Sequence, residues 1–370
     1  MLGMMILSRV IGGGMALARA ELTGPSLSRL RPKLKQTAFA LWGLYFFLTL
    51  FEFLLLYFTG AMNLFDAVNH SLTTMPSGGF STHDASIGYY DSILVESIII
   101  CFMFLAGVNF TLLWFIGEGD FKKAFGDEEF RNYVLYVFVA FVSVSIALVL
   151  SGNSVSQGVR DGLFQVVSFA TSTGYTSTNY MGESWPLFGH LVLFILMVVG
   201  SSAGSTSGGL KILRVTLAFK VATRELVRIA QPRKIQQIRM NDEVVEEKQI
   251  GLIVGMLFVW VGLFFMSSLI LSLFMPTETF ESVTMVVASS LGNTGPTLGD
   301  FGPTQTWASM NSGALIITSI LMWFGRLELL TAVILLHPHT WRREDKSDGE
   351  MQGLALVKRI LQEKNDPDSK

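Results

Sequence analysis

The chain has 370 residues, 50% of them hydrophobic and 15% charged, with a mean hydropathy of +0.48. That balance excludes an ordinary soluble domain, and a single cysteine, Cys101, excludes a disulfide framework or a cysteine-based metal centre. The net charge of −2 says little by itself; the placement of the charges says more.

In chain order, residues 1–18 form a short, glycine-interrupted apolar stretch with Arg9 inside and Arg19 at its end. Lacking a small-residue cleavage site, it reads as the end of a membrane helix and not as a signal peptide. Apolar runs follow at 38–59, 93–117, 133–151, 187–200, 249–275 and 307–336, each near or above the ~20 residues that span hydrocarbon. Between paired runs lie three shorter apolar stretches, each ending in a glycine-centred turn: Ser77-Gly78-Gly79-Phe80, Ser172-Thr173-Gly174-Tyr175 and Asn293-Thr294-Gly295-Pro296. The acids Asp66, Asp161 and Glu281 precede Gly79, Gly174 and Gly295 by 13, 13 and 14 residues. The pattern predicts an all-α polytopic membrane protein built from repeated helix–pore-loop–helix units, three of them complete.

The expected partition is 1–36, a remnant of a preceding inner helix with a cytoplasmic linker; 37–131, a first repeat; 132–223, a second with a broken inner helix; 224–248, a cytoplasmic linker; 249–341, a third repeat; and 342–370, a cytoplasmic tail. Within the first repeat the reading is an outer helix at 37–60, a half-helix at 64–75 and one inner helix at 92–116. Arg19, Arg29, Arg31, Lys33 and Lys35 crowd one connection, Lys122, Lys123 and Arg131 another, and a basic block runs from Lys211 to Lys248. The opposite connections carry His83, Asp84, Asp91, Glu183 and Asp300, with Arg160 as their one basic residue. By the positive-inside rule the basic connections are cytoplasmic and the glycine turns open outward.

A half-helix that enters from outside and stops midway aims its C-terminal carbonyls at the centre, and the returning loop must offer its own carbonyls to something other than lipid. A dehydrated cation fits that need. The leading acids Asp66, Asp161 and Glu281 suit the positive N-termini of the half-helices. One such turn alone is an ordinary loop; three at matched positions make a filter, with Ser77, Gly78, Gly79, Phe80, Ser172, Thr173, Gly174, Tyr175, Asn293, Thr294 and Gly295 as its backbone.

Below the second turn the run 200–209 is rich in glycine and serine and interrupts an apolar segment. It is a poor helix, tolerable in lipid only where buried or lining a cavity. Gly200, Gly204, Ser205, Gly208 and Gly209 are therefore candidate gate residues. A phosphate loop is the alternative, but the GxxxxGK[ST] pattern is absent. Arg326 is a charge deep in the last inner helix. It reads either as a structural partner of Glu328 or as a guanidinium below the filter that repels cations or locks the gating loop. His70 reads as a packed or hydrogen-bonded side chain, His83 and Asp84 as outer-mouth or merely solvated groups, and Asn109 as pore-lining or bonded to a neighbouring helix. None makes a catalytic constellation, so no enzyme is expected. Phe58, Tyr89, Tyr90, Trp185 and Trp307 fit an interfacial aromatic belt, not a nucleic-acid surface.

These residues resemble a known family. Gly78 through Asp84, Ser172 through Tyr175 and Gly292 through Pro296 resemble the filter loops of the TrkH/TrkG/KtrB potassium-transport proteins, and Gly204 through Lys211 with Gly325-Arg326-Leu327-Glu328 resemble two further signatures. Arg19-Ala20-Glu21 and Gly24-Pro25 are closer to the TrkH branch. The resemblance implies four repeats arranged pseudo-fourfold around one pore, pairing as homodimers, and a cytosolic nucleotide-binding regulatory subunit of the TrkA/KtrA kind docked on 224–248 and the tail. It implies potassium (or sodium) as the transported ion, with glycine at the three filter centres leaning toward potassium, and residence in the cytoplasmic (inner) membrane. No organic cofactor is expected. Against that plan the first repeat is missing. The expectation is that the chain begins late or that another polypeptide supplies the first quarter. The leading function is gated cation uptake. The alternatives are a cation-coupled secondary transporter, such as a symporter, and a non-conducting regulatory or assembly subunit.

Overall fold

The computed structural model describes residues 34–232 and 236–327. The expected helix remnant and linker at 1–33, Glu328, the end of the last inner helix and the tail lie outside the described residues. The first repeat opens with α1 (Leu34–Phe58), followed by a half-length helix α2 (Leu64–Thr74) and, beyond the turn, α3 (Ile93–Ala106) and α4 (Phe110–Gly117). A short α5 (Phe121–Gly126) leads to the second repeat: α6 (Glu128–Leu150), the half-length α7 (Val155–Ala170), α8 (Leu187–Val199) and α9 (Ile212–Ala230). A two-stranded antiparallel hairpin, β1 (Arg239–Met240) with β2 (Glu243–Val244), precedes the third repeat. That repeat comprises α10 (Glu247–Phe274), the half-length α11 (Phe280–Gly292) and α12 (Ser312–Arg326). The fold is thus a repeated helix–half-helix–helix protein.

Among the described residues, three helices are long and apolar enough to cross a membrane, within Thr37–Phe58, Glu128–Leu150 and Glu247–Phe274. Each opens a repeat, and their outer faces leave large apolar side chains uncovered, among them Phe46, Phe47 and Phe51 on α1 and Phe258, Phe265 and Leu273 on α10. Apolar groups so placed satisfy lipid, not water. The half-helices α7 and α11 are instead enclosed toward their C-terminal ends, with Phe164, Val166 and Phe169 of α7 and Val286, Val287 and Ala288 of α11 fully covered, whereas α2 leaves Leu64, Phe65 and Leu72 exposed.

The expected single inner helix at 92–116 is broken. Between α3 and α4 the axis turns by 108°. Two packing constraints force the bend. A Cβ at Gly107 would lie 2.4 Å from the Tyr133 hydroxyl, so only glycine lets α6 approach. Asn109 then caps the new helix, its Oδ1 accepting the Thr111 amide at 2.9 Å, as short polar side chains do at helix starts.

Candidate ion-conduction site

The three half-helices begin and end alike. At their starts Asn63, Ser154 and Thr279 are N-caps whose side-chain oxygens accept the amides of Asp66, Gln157 and Ser282. Asp66 and Glu281 lie in the first turns of α2 and α11, where the helix dipole favours them. Asp161 does not. It is the seventh residue of α7, which has no acid in its first turn, because α7 is 16 residues long against 11 and 13 for its counterparts.

At their ends the match extends to individual bonds. Ser77 N donates to Thr74 O (2.8 Å) and Gly78 N to Thr73 O (2.8 Å). Ser172 N donates to Phe169 O (3.1 Å) and Thr173 N to Ser168 O (3.0 Å). Asn293 N donates to Ser290 O (3.4 Å) and Thr294 N to Ser289 O (3.1 Å). This is one helix-terminating motif used three times. Its left-handed residue is Ser77, Ser172 or Asn293 (φ +52°, +49° and +54°), and a second left-handed residue follows two positions later at Gly79, Gly174 or Gly295 (φ +65°, +82° and +98°).

The turns abut one another. A Cβ on Gly79 would lie 1.8 Å from Thr173 O, and one on Gly174 would lie 1.9 Å from Thr294 O. The partner is each time the carbonyl just before the next turn's central glycine, so the same step leads from first turn to second and from second to third. No described atom lies within 4 Å of the corresponding position on Gly295. The filter residues expected from the sequence are therefore brought together, apart from one distinction. The carbonyls of Phe80 and Tyr175 are engaged from behind, by Thr73 Oγ1 at 2.8 Å and Ser168 Oγ at 2.6 Å. Ser289 Oγ likewise donates toward Gly295 O and Pro296 O at 3.0 and 3.1 Å. These three hydroxyls each stand six residues before the central glycine, a spacing present in the sequence but hidden there by the ordinariness of serine and threonine in helices.

Two tyrosines of the second repeat fasten the neighbours. Tyr175 Oη bonds Thr73 Oγ1 at 2.6 Å and donates to His70 O at 3.1 Å, while Tyr180 Oη donates to Thr297 O at 2.8 Å. His70 is packed, its nitrogens meeting Asp66 O at 2.8 Å and Ser81 Oγ at 3.0 Å. His83 sits 3.3 Å from Asp66 Oδ2 and stacks on Tyr89 at 3.6 Å; Asp84 is exposed.

Between α8 and α9 the segment 200–211 is non-helical. It presses on the roots of all three turns. Ser77 Oγ donates to Thr206 O (2.7 Å), Thr206 Oγ1 to Met75 O (2.9 Å) and Gly208 N to Ser172 Oγ (2.5 Å). A Cβ on Gly208 would sit 2.1 Å from Gly292 O. Gly204 faces the capping Asn109, whose neighbour Phe110 donates its amide to Gly204 O at 3.2 Å. Lys211 Nζ donates to Ser207 O and, at 3.4 Å, to Ser205 Oγ. The buried Glu129 accepts the Ala203 amide. Glu129 was not foreseen as an anchor of this loop, and Lys211, though it ends the Gly204–Lys211 signature, was not among the candidate gate residues. Arg326 Nη2 donates to Pro76 O at 2.7 Å, one residue before the first turn. That bond goes to the root of the first turn and not to a carbonyl of segment 200–211, where the expectation of a locked loop had it.

Carbonyl-bearing turns packed side by side at the ends of half-helices, over an irregular segment inside an apolar bundle, define a polytopic membrane transport protein. Residues 2–342 match the family described as TrkH, cation transport protein. The chain is 37% identical over 334 residues to the Trk system potassium uptake protein TrkH of Escherichia coli K12, covering 89% of this chain and 68% of that protein. It is 30% identical over 342 residues to TrkG of the same organism, covering 89% and 67%. The crystal structure of the potassium transporter TrkH from Vibrio parahaemolyticus superposes with a TM-score of 0.79 at 33% identity, over 89% of this chain and 70% of that one. The chain belongs to the TrkH family of cation transport proteins, a transport family and not an enzyme family.

Proposed function

We infer that the chain takes up potassium across the cytoplasmic (inner) membrane through a gated pore whose filter is the backbone of the three glycine turns. The observation that carries this reading is the threefold repetition of the helix-ending bonds with paired left-handed residues, which holds successive carbonyls in one attitude. The names of the relatives supply potassium as the ion. In this reading the turns face outward, the membrane potential drives entry, and segment 200–211 with Arg326 is the gate.

Arg326 places a guanidinium under the filter's first turn, where it opposes a cation leaving inward. Control comes from the cytoplasm, through a nucleotide-binding subunit of the TrkA/KtrA kind, with the chain acting as a homodimer. The hairpin at 239–244 offers the route. Asn241 Nδ2 donates to Asp127 Oδ2 at 2.7 Å and Asn241 Oδ1 accepts the Glu128 amide at 2.7 Å, one residue from the Glu129 that holds the loop.

The test is cation uptake into liposomes containing this chain. Saturable potassium uptake that rises when Arg326→Ala removes the guanidinium supports the reading. No uptake, or identical uptake in the variant, counts against it.

A further inference from the structure

We propose that Thr73, Ser168 and Ser289 are a matched set of positioning residues that fix where the ion-binding part of the filter ends. The proposal rests on the filter reading above. Each hydroxyl comes from the last turns of a half-helix, stands six residues before a central glycine, and reaches the carbonyl that follows that glycine. A carbonyl oxygen 2.6–3.1 Å from a hydroxyl on its own half-helix points toward that helix and has one lone pair occupied. The carbonyls of Phe80, Tyr175 and Pro296 are thereby turned back, with that of Gly295 engaged as well in the third turn, so the ion-facing oxygens stop at Gly79 and Gly174 in the first two turns and at Thr294 in the third.

Ser168 is the plainest case: its hydroxyl donates to the Tyr175 carbonyl at 2.6 Å, and both residues are fully buried. Ser289 works in both directions, accepting Gly295 N at 3.1 Å while donating to the carbonyls beyond it. Thr73 has one proton and two acceptors at 2.8 Å, Asn69 O and Phe80 O. Its oxygen also meets the Tyr175 hydroxyl at 2.6 Å, so Thr73 divides one proton among these neighbours and holds the Phe80 carbonyl less exclusively than Ser168 holds that of Tyr175. Selectivity between cations of similar charge depends on the number and orientation of coordinating carbonyls. Releasing a turned-back carbonyl adds an oxygen of unfixed orientation to the filter's outer end, which favours the smaller, more strongly hydrated ion.

The experiment compares potassium and sodium uptake in liposomes for the unmodified chain, Ser168→Ala, Ser289→Ala and Thr73→Val, with Ser168→Thr, Ser289→Thr and Thr73→Ser as variants that keep the donor. Thermal unfolding in detergent identifies which variants fold, and any folded donor-deleted variant carries the test. Expected is a fall of about tenfold in the potassium-to-sodium ratio on loss of a donor, the effect of roughly one hydrogen bond, with the ratio retained where the hydroxyl is kept. A role confined to stability would lower uptake of both ions together and leave the ratio unmoved; that result overturns the proposal. Gly295→Ala, which alters a turn directly, separates the two levels. A shifted ratio there with unmoved donor-deleted variants removes only the hydroxyl assignment. An unmoved ratio in all of them, or no uptake by the unmodified chain, removes the filter reading itself.

Discussion

Gly79, Gly174 and Gly295 hold equivalent places in three equivalent turns, yet they do not carry equal burdens. Alanine at any of them meets the cost of a side chain in left-handed backbone, roughly 1–3 kcal/mol. At Gly79 and Gly174 the new methyl would also overlap a carbonyl oxygen of the next turn, at 1.8 and 1.9 Å, and backbone cannot step aside as a flexible side chain can. The expected order of damage is Gly174→Ala and Gly79→Ala far above Gly295→Ala, read as loss of folded protein by thermal unfolding in detergent; equal losses would contradict the packing described. The glycine positions and the residues of the three matched turns were legible in the sequence, because only a repeated turn shows that spacing. The hydroxyls behind them were not. Nor was the place of Asp161, whose matched distance from its glycine hid a longer helix.

At the scale of elements, apolar run length foretold the helices that open each repeat, the half-helices and the interruption at 200–209. It failed at the bend between α3 and α4, where Gly107 and Asn109 are modest signals and the cause is tertiary: Tyr133 on one side and Gly204 on the other. The same limit applies to the loop's anchorage. Glu129 at the start of α6 binds the Ala203 amide, and Ala203 shares an apolar cluster with Ile238, Met240 and Val245 of the hairpin region. Lys220 of α9 joins them by donating to Arg239 O at 2.8 Å and pairing with Glu128. Breaking this anchorage with Glu129→Ala or Asn241→Ala should speed amide exchange across 200–211 by about tenfold, the value of a buried hydrogen bond to a polar partner. The exchange of α7 should stay as it is. Glu129→Gln, which keeps an oxygen for the Ala203 amide, should exchange nearly as slowly as the unmodified chain.

For the molecule as a whole, the second repeat is the keystone. Its Tyr175 reaches back to the first half-helix and its Tyr180 reaches forward to the third turn. Tyr180→Phe deletes one buried hydroxyl and leaves Thr297 O without that donor, so unfolding free energy should fall by about 1–3 kcal/mol. The weakening should show as earlier exposure of the third repeat to limited proteolysis, with the first repeat unaffected. One feature of the half-helix ends reaches further. A left-handed position at the end of a helix is usually glycine, but here it is Ser77 and Ser172, and each hydroxyl bonds segment 200–211. Glycine in either place would relax the backbone and untie the segment beneath it in the same stroke. Easier folding and a firmly tied segment 200–211 therefore pull against each other at two single codons, and descendants of this chain can improve one only by surrendering part of the other.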